Sequence, residues 1–80
     1  MSQEATATAI GERVRQSRIQ RGLSQEALGE VAGMYQSTIA RIERGLRNPR
    51  MKTIQRLATA LDVSPIWLMI GRNDEGERAK

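Results

Sequence analysis

Gln36, Ser37 and Arg41 stand in a stretch, Gln36 to Arg44, whose apolar residues Ile39 and Ile42 recur at helical spacing and leave these polar residues facing outward. Their chemistry is that of reading a base edge. A glutamine amide places a donor beside an acceptor, which matches N6 and N7 of adenine in the major groove. An arginine fork matches O6 and N7 of guanine, or the oxygens of a phosphate. Tyr35, just before them, can touch a phosphate or a thymine methyl, or it can cover the helix end. Gln25 opens the preceding helical stretch, whose free N–H groups attract anions, so it suits a phosphate. Arg44, Arg47, Asn48 and Arg50 surround the following loop and supply a grip on backbone phosphate that carries no sequence information.

The charge distribution supports this chemistry and removes others. Net charge is +4, from 13 Lys and Arg against 9 Asp and Glu, and 11 of those cations are Arg. They concentrate in two segments. Arg13 to Arg21 carries four Arg and no acid, and Arg41 to Arg56 carries five Arg and Lys52 against Glu43 alone. There is no Cys and no His, which removes disulfides, thiolate or imidazole metal sites and the usual neutral-pH proton shuttle. The acids do not group either: Asp62 falls at a helix end, and Asp74 and Glu75 fall in the tail. No enzyme, cofactor or metal is expected. The longest apolar run, Ile66 to Ile70, is far short of a membrane span, and no signal-like apolar stretch opens the chain. A cytoplasmic, nucleoid-associated protein is expected.

The elements that must hold these groups are helical throughout. Ile10, Val14 and Ile19 recur at near-helical spacing, predicting a first helix from about Thr8 to Arg21, with Gly22 as its stop. Ser24 caps a short second helix to Ala32, with Leu28, Val31 and Ala32 as its apolar face. Gly33-Met34-Tyr35 then makes a tight turn into the third helix, which ends at Gly45. Such a turn holds two helices near a right angle, so that the second projects from the surface. Gly29 costs the second helix about 1 kcal/mol in propensity against Ala, which points to a close backbone approach there. Pro49 forces a loop. Met51, Ile54, Leu57, Ala58 and Leu61 predict a fourth helix, and Ser64-Pro65 caps a fifth to about Ile70. Residues 1–7 read as a flexible lead, 8–71 as the folded domain and 72–80 as a disordered charged tail.

Several linked motifs resemble one family. Ile10-Gly11-Glu12-Arg13-Val14, Gly22 to Leu28, Gly33, Ser37 to Gly45, Asn48-Pro49 and Leu57 to Leu68 together look like the Cro and phage-repressor (Xre-type) helix-turn-helix family. The likeness spans about sixty residues. It implies an all-α, five-helix DNA-binding domain that acts as a homodimer on a near-palindromic operator in bacteria or phages. It also implies that Arg18, late in the first helix, pairs with Glu43 near the end of the reading helix, orienting that helix without touching bases. Departures are Gly29 where Ala is more common, Tyr35 where the turn often has a small polar residue, and Ile66 where an acid is frequent.

Ile66 to Ile70 winds through about 500° of helix, so its five apolar side chains cannot all face one core. Trp67 and Leu68 are assigned inward, leaving Ile66, Met69 and Ile70 for a two-fold partner. The expected function is a transcriptional regulator, a repressor because no sensor or polymerase-contact segment is evident, with double-stranded DNA as ligand. The rival is a protein-interaction module of the same fold, an antitoxin or bridging factor whose partner is a toxin or the transcription machinery. The outward Gln36, Ser37 and Arg41 favour DNA.

Overall fold

The computed structural model describes the backbone of residues 3–72 and the side chains of residues 6–72. These residues form α1 (Gln3–Gln20), α2 (Gln25–Ala32), α3 (Gln36–Glu43), α4 (Met51–Leu61) and α5 (Pro65–Ile70), with no strand among them. The expected tail lies outside the described residues from 73 onward. No helix among the described residues is long and apolar enough to cross a membrane.

The first helix, expected from about Thr8, instead begins at Gln3, and Ala7 is only 3% exposed; residues 1–2 of the expected lead lie outside the described residues. The reason lies in which residues form the inward stripe. Ala7, Ile10, Gly11, Val14 and Ser17 are buried at helical spacing, but three of the five are too small to register as a hydrophobic face. Ala5, Ala7 and Ala9 also carry high helix propensity, which extends the helix backward. Ile19, counted as inward, is 51% exposed; nine residues on from Ile10, it lies about 180° around the helix. Val31 is likewise not part of the α2 face and is 63% exposed.

The small stripe lets α1 press directly on the end of α3. A Cβ placed on Gly11 would sit 2.2 Å from the Ile42 carbonyl oxygen and 2.8 Å from that of Glu43. Gly11→Ala therefore sets two effects against each other. Alanine gains about 1 kcal/mol in helix propensity, while forcing two backbones apart in a packed core costs about 1–3 kcal/mol or more. Because the obstacle is backbone rather than a mobile side chain, the second effect wins. Thermal unfolding of Gly11→Ala is expected at a lower temperature than wild type, and an unchanged or higher midpoint would refute the close crossing.

The α2–α3 corner follows the same rule. A Cβ on Gly29 would meet the Met34 carbonyl oxygen at 2.5 Å, while the Met34 N–H donates to the Gly29 carbonyl at 2.8 Å. The close backbone approach inferred from the sequence is thus present. Ser24 caps α2, its Oγ accepting from the Ala27 N–H at 2.9 Å, and Ser64 caps α5 by accepting from the Trp67 N–H at 3.2 Å. Leu28, Ile39, Ile42, Ile54, Leu57, Leu61 and Leu68 close one core shared by all the helices from α2 to α5, with Ile10 and Val14 from α1. This core fixes α3 while leaving its outer side free.

Candidate nucleic-acid interface

The exposed side of α3 carries Gln36, Ser37, Arg41 and then Arg44, while Ile39, Ile42 and Glu43 are buried. Tyr35 precedes them at the N-cap, makes no capping hydrogen bond with its side chain and is 82% exposed. Arg47, Asn48 and Arg50 are exposed on the following loop. The fold thus brings the expected base-reading and phosphate residues to α3 and its flanks. From Gln36 to Arg56 the only acid is Glu43, 9% exposed. No carboxylate in this stretch opposes a polyanion.

Glu43 is neutralised from α1. Arg18 Nε donates to its Oε2 at 2.6 Å and Arg18 Nη2 donates to its Oε1 at 3.1 Å, a two-point fork. Arg18 Nη1 donates to the Leu23 carbonyl at 2.8 Å, so one guanidinium ties α1, the turn before α2 and the end of α3. The hydrogen bond to Glu43 raises the Arg18 pKa above its ordinary value, and the ion attraction adds to it against the opposing effect of burial. The implied Arg18–Glu43 pair is therefore present as a partly buried orienting contact.

Gln25 and Gln36 do not act separately. Gln25 Nε2 donates to Glu43 Oε1 at 3.1 Å, and Gln36 Nε2 donates to Gln25 Oε1 at 2.7 Å. A continuous row of hydrogen bonds runs from Arg18 through Glu43 and Gln25 to the first residue of α3. The sequence suggests a phosphate contact for Gln25 and does not reveal this row. The Gln25 side chain is engaged within the fold on both its nitrogen and its oxygen.

Nor does the sequence reveal the contact that Arg13 makes with α5. Its Nε donates to the Leu68 carbonyl at 2.8 Å and its Nη2 to the Met69 carbonyl at 2.9 Å. A cation at the end of α5 satisfies carbonyls that have no helical partner. Burial lowers the Arg13 pKa. The contact joins residues 55 and 56 positions apart, so no local spacing announces it. It holds α5 against α1 with Ile66 at 56% and Ile70 at 57% exposure. Leu68 is fully buried, whereas Trp67, assigned to the core, is only partly buried. Met69 is also partly buried. With Ile70 it lines a cleft of about 260 Å³ against Ile10, Pro49, Met51 and Ile54.

The helix-turn-helix family model matches residues 14–68. The HTH-type transcriptional regulator PrtR of Pseudomonas aeruginosa is 39% identical over 67 residues, which cover 84% of this chain; the chain spans only 26% of that relative. The crystal structure of the restriction-modification controller protein C.AhdI from Aeromonas hydrophila superposes with a TM-score of 0.77 at 42% identity, over 80% of this chain and 97% of that one. The P22 c2 repressor, solved in complex with a synthetic operator, gives 0.75 at 33% identity, over 79% of this chain and 96% of that one. With the buried α1–α3 ion pair and the glycine-tight α2–α3 corner, these matches make the chain a member of the Cro and phage-repressor (Xre-type) helix-turn-helix family.

Proposed function

We propose that this chain is a sequence-specific DNA-binding transcriptional regulator that seats α3 in the major groove and acts, as a homodimer, to repress transcription. The observation that carries this reading is the solvent side of α3 and its flanks. Gln36, Ser37 and Arg41 form an exposed edge of donors and acceptors, the arginines at 44, 47 and 50 surround it, and the stretch exposes no carboxylate. In this reading Gln36 and Arg41 address base edges with Ser37 and Tyr35 beside them. Arg44, Arg47, Asn48, Arg50 and the α2 first turn at Gln25 hold phosphates.

Dimerisation is supported by α5. Two isoleucines, Ile66 and Ile70, stand more than half exposed on a six-residue helix, with the Met69 cleft beside them. A single α3 reads too few base pairs to stand out among a genome's competing sites. Pairing across α5 covers the apolar surface and sets two copies of α3 one DNA turn, about 34 Å, apart. The repressor role is supported by the likeness to P22 c2. A purely protein-directed role finds less support, since a cationic edge rich in amide and guanidinium donors is built for phosphates and bases.

Binding of single-substitution proteins to a selected duplex and to random DNA tests the division of labour. Gln36→Ala or Arg41→Ala is expected to lose about 1–3 kcal/mol on the selected site and to relax preference at one base pair, whereas Arg47→Ala weakens all sequences alike. Equal losses on selected and random DNA for all three would place the reading face elsewhere.

A further inference from the structure

We infer that Arg13 sets the spacing between half-sites that a dimer of this chain accepts, because it fixes the angle of α5 against the helix that holds α3. The inference rests on the proposed pairing of two copies through α5 and on the reading of DNA by α3. It follows from where three residues stand on α1. Gly11 and Arg18 lie within about 20° of each other around that helix, and Arg13 stands about 160° from Gly11. One edge of α1 therefore meets α3 and the opposite edge meets α5. On the α3 side the joint is stiff. Gly11 brings the α1 backbone against the carbonyls of Ile42 and Glu43, and about 10 Å further along α1 the Arg18 fork holds Glu43. Ile39 and Ile42 are fully buried beneath these anchors.

On the α5 side, apolar packing alone leaves freedom. Residues 62–64 tether the start of α5 to α4, and Leu68 is the helix's one buried residue. Apolar contact has no direction, so packed helices slide and pivot on it at small cost. Hydrogen bonds do have direction. Arg13 supplies two, from Nε to the Leu68 carbonyl at 2.8 Å and from Nη2 to the Met69 carbonyl at 2.9 Å, both near the end of α5 far from the tether. The guanidinium lies so close over that end that a Cβ on Gly71 would meet its Nη1 at 3.0 Å. A planar fork on two successive carbonyls resists both sliding and rotation. Ile66 and Ile70, exposed for pairing, turn with the helix that carries them, so the fork also sets the direction of the two-fold axis. The lever is long. Each α3 stands about 17 Å from that axis when the pair spans one DNA turn, about 34 Å. A rotation of about 6° in each subunit then changes the α3 separation by up to about 3 to 4 Å, close to the rise of one base pair. Arg13 is a positioning residue in this scheme, acting on DNA through α5 and the second copy.

The test uses the full chain and duplexes that carry two copies of its selected half-site, with their spacing varied one base pair at a time. The wild type is expected to bind the best spacing about tenfold or more tighter than spacings one base pair longer or shorter, where the DNA has to twist or bend to fit. Arg13→Met keeps an unbranched side chain and removes the fork. It is expected to bring the neighbouring spacings within about threefold of the best one, as a pivoting α5 takes up the strain in place of the DNA, with base preferences inside each half-site unchanged. Arg13→Lys keeps the charge without the planar fork and is expected to fall between the two. A role confined to stability or to the strength of pairing lowers affinity at every spacing by one factor and leaves the ratio alone. That result, or full wild-type discrimination in Arg13→Met, would overturn the inference while leaving the pairing through α5 in place. If Arg13→Met does not fold by circular dichroism, Arg13→Lys decides, and a wild-type ratio in it counts against the inference in the same way. A wild type that selects no half-site, or that binds every spacing equally, removes the proposed reading and the inference with it.

Discussion

Arg18→Ala is expected to lose about 3–5 kcal/mol of folding free energy, the usual consequence of removing one partner from a buried ion pair. The magnitude comes from what stays behind. The Glu43 side chain is 3% exposed and the Arg18 side chain 13%, so without the guanidinium the carboxylate is left in the core with only the Gln25 amide as a donor. For a domain of this size, total stability is about 4–12 kcal/mol, and a loss of that order leaves the variant largely unfolded near body temperature. The raised Arg18 pKa fixes the sign of the pH dependence. A cation whose folded pKa exceeds its unfolded one contributes at every pH below the unfolded value, and the contribution disappears only as pH rises through the folded value. The arginine's contribution is therefore constant through neutral pH. Replacing both partners with apolar side chains, Arg18→Met with Glu43→Leu, is expected to recover most of the loss, because the cost lies in the stranded charge. Thermal melts of the single and double variants check this, and an Arg18→Ala midpoint within a few degrees of wild type would show that water reaches the pair.

What could be read from the sequence was what local chemistry encodes. Ser24 and Ser64-Pro65 announced the starts of α2 and α5, and both serines cap as expected. Gly29 announced the tight corner, because a residue unfavourable in a helix needs a reason to be there. The beginning of α1 was missed because its inward stripe is made of alanine, glycine and serine, whose role is to be small where two backbones meet. Ile19 and Val31 misled for the opposite reason. They are large and apolar but stand at angles that face solvent.

The contacts that join distant segments were not legible. Gln25 and Gln36 each suggested a DNA contact on their own, but nothing local shows that one amide holds the other at 2.7 Å. Arg13 looked like one more cation in a basic segment, although it spends its donors on α5 carbonyls at 2.8 and 2.9 Å. Both cases concern long polar side chains whose partners are chosen by the packing of the core. The basic segment from Arg13 to Arg21 is thus partly internal: Arg13 and Arg18 are engaged within the fold while Arg15 and Arg21 stay exposed, and the denser positive field on the solvent side lies along the segment from Arg41 to Arg56.

That outer field sets the largest effect expected of this protein, the salt dependence of its affinity. Arg44, Arg47 and Arg50 are exposed beside α3, and Lys52 is exposed in the first turn of α4; on the proposed reading, cations such as these meet about four phosphates per subunit. Each neutralised phosphate releases condensed counterions and adds roughly −0.9 to the slope of log K against log salt, so a dimer should show a slope of about −7. Raising salt from about 50 to about 200 mM would then weaken binding by roughly ten-thousand-fold. The slope also separates grip from assembly. Arg47→Ala removes one contact per subunit and is expected to flatten the dimer's slope by about 2. Ile66→Glu places a charge on the exposed face of α5 and leaves the core intact, so helicity should persist while binding proceeds one subunit at a time, with a slope of about half the wild-type value. Fluorescence anisotropy titrations on a selected duplex across a salt series, with sedimentation of the same samples, measure all three. A wild-type slope shallower than about −2 would mean that the arginines around α3 do not meet phosphate. An Ile66→Glu protein that kept the full slope and still bound as a dimer would move the two-fold interface away from α5.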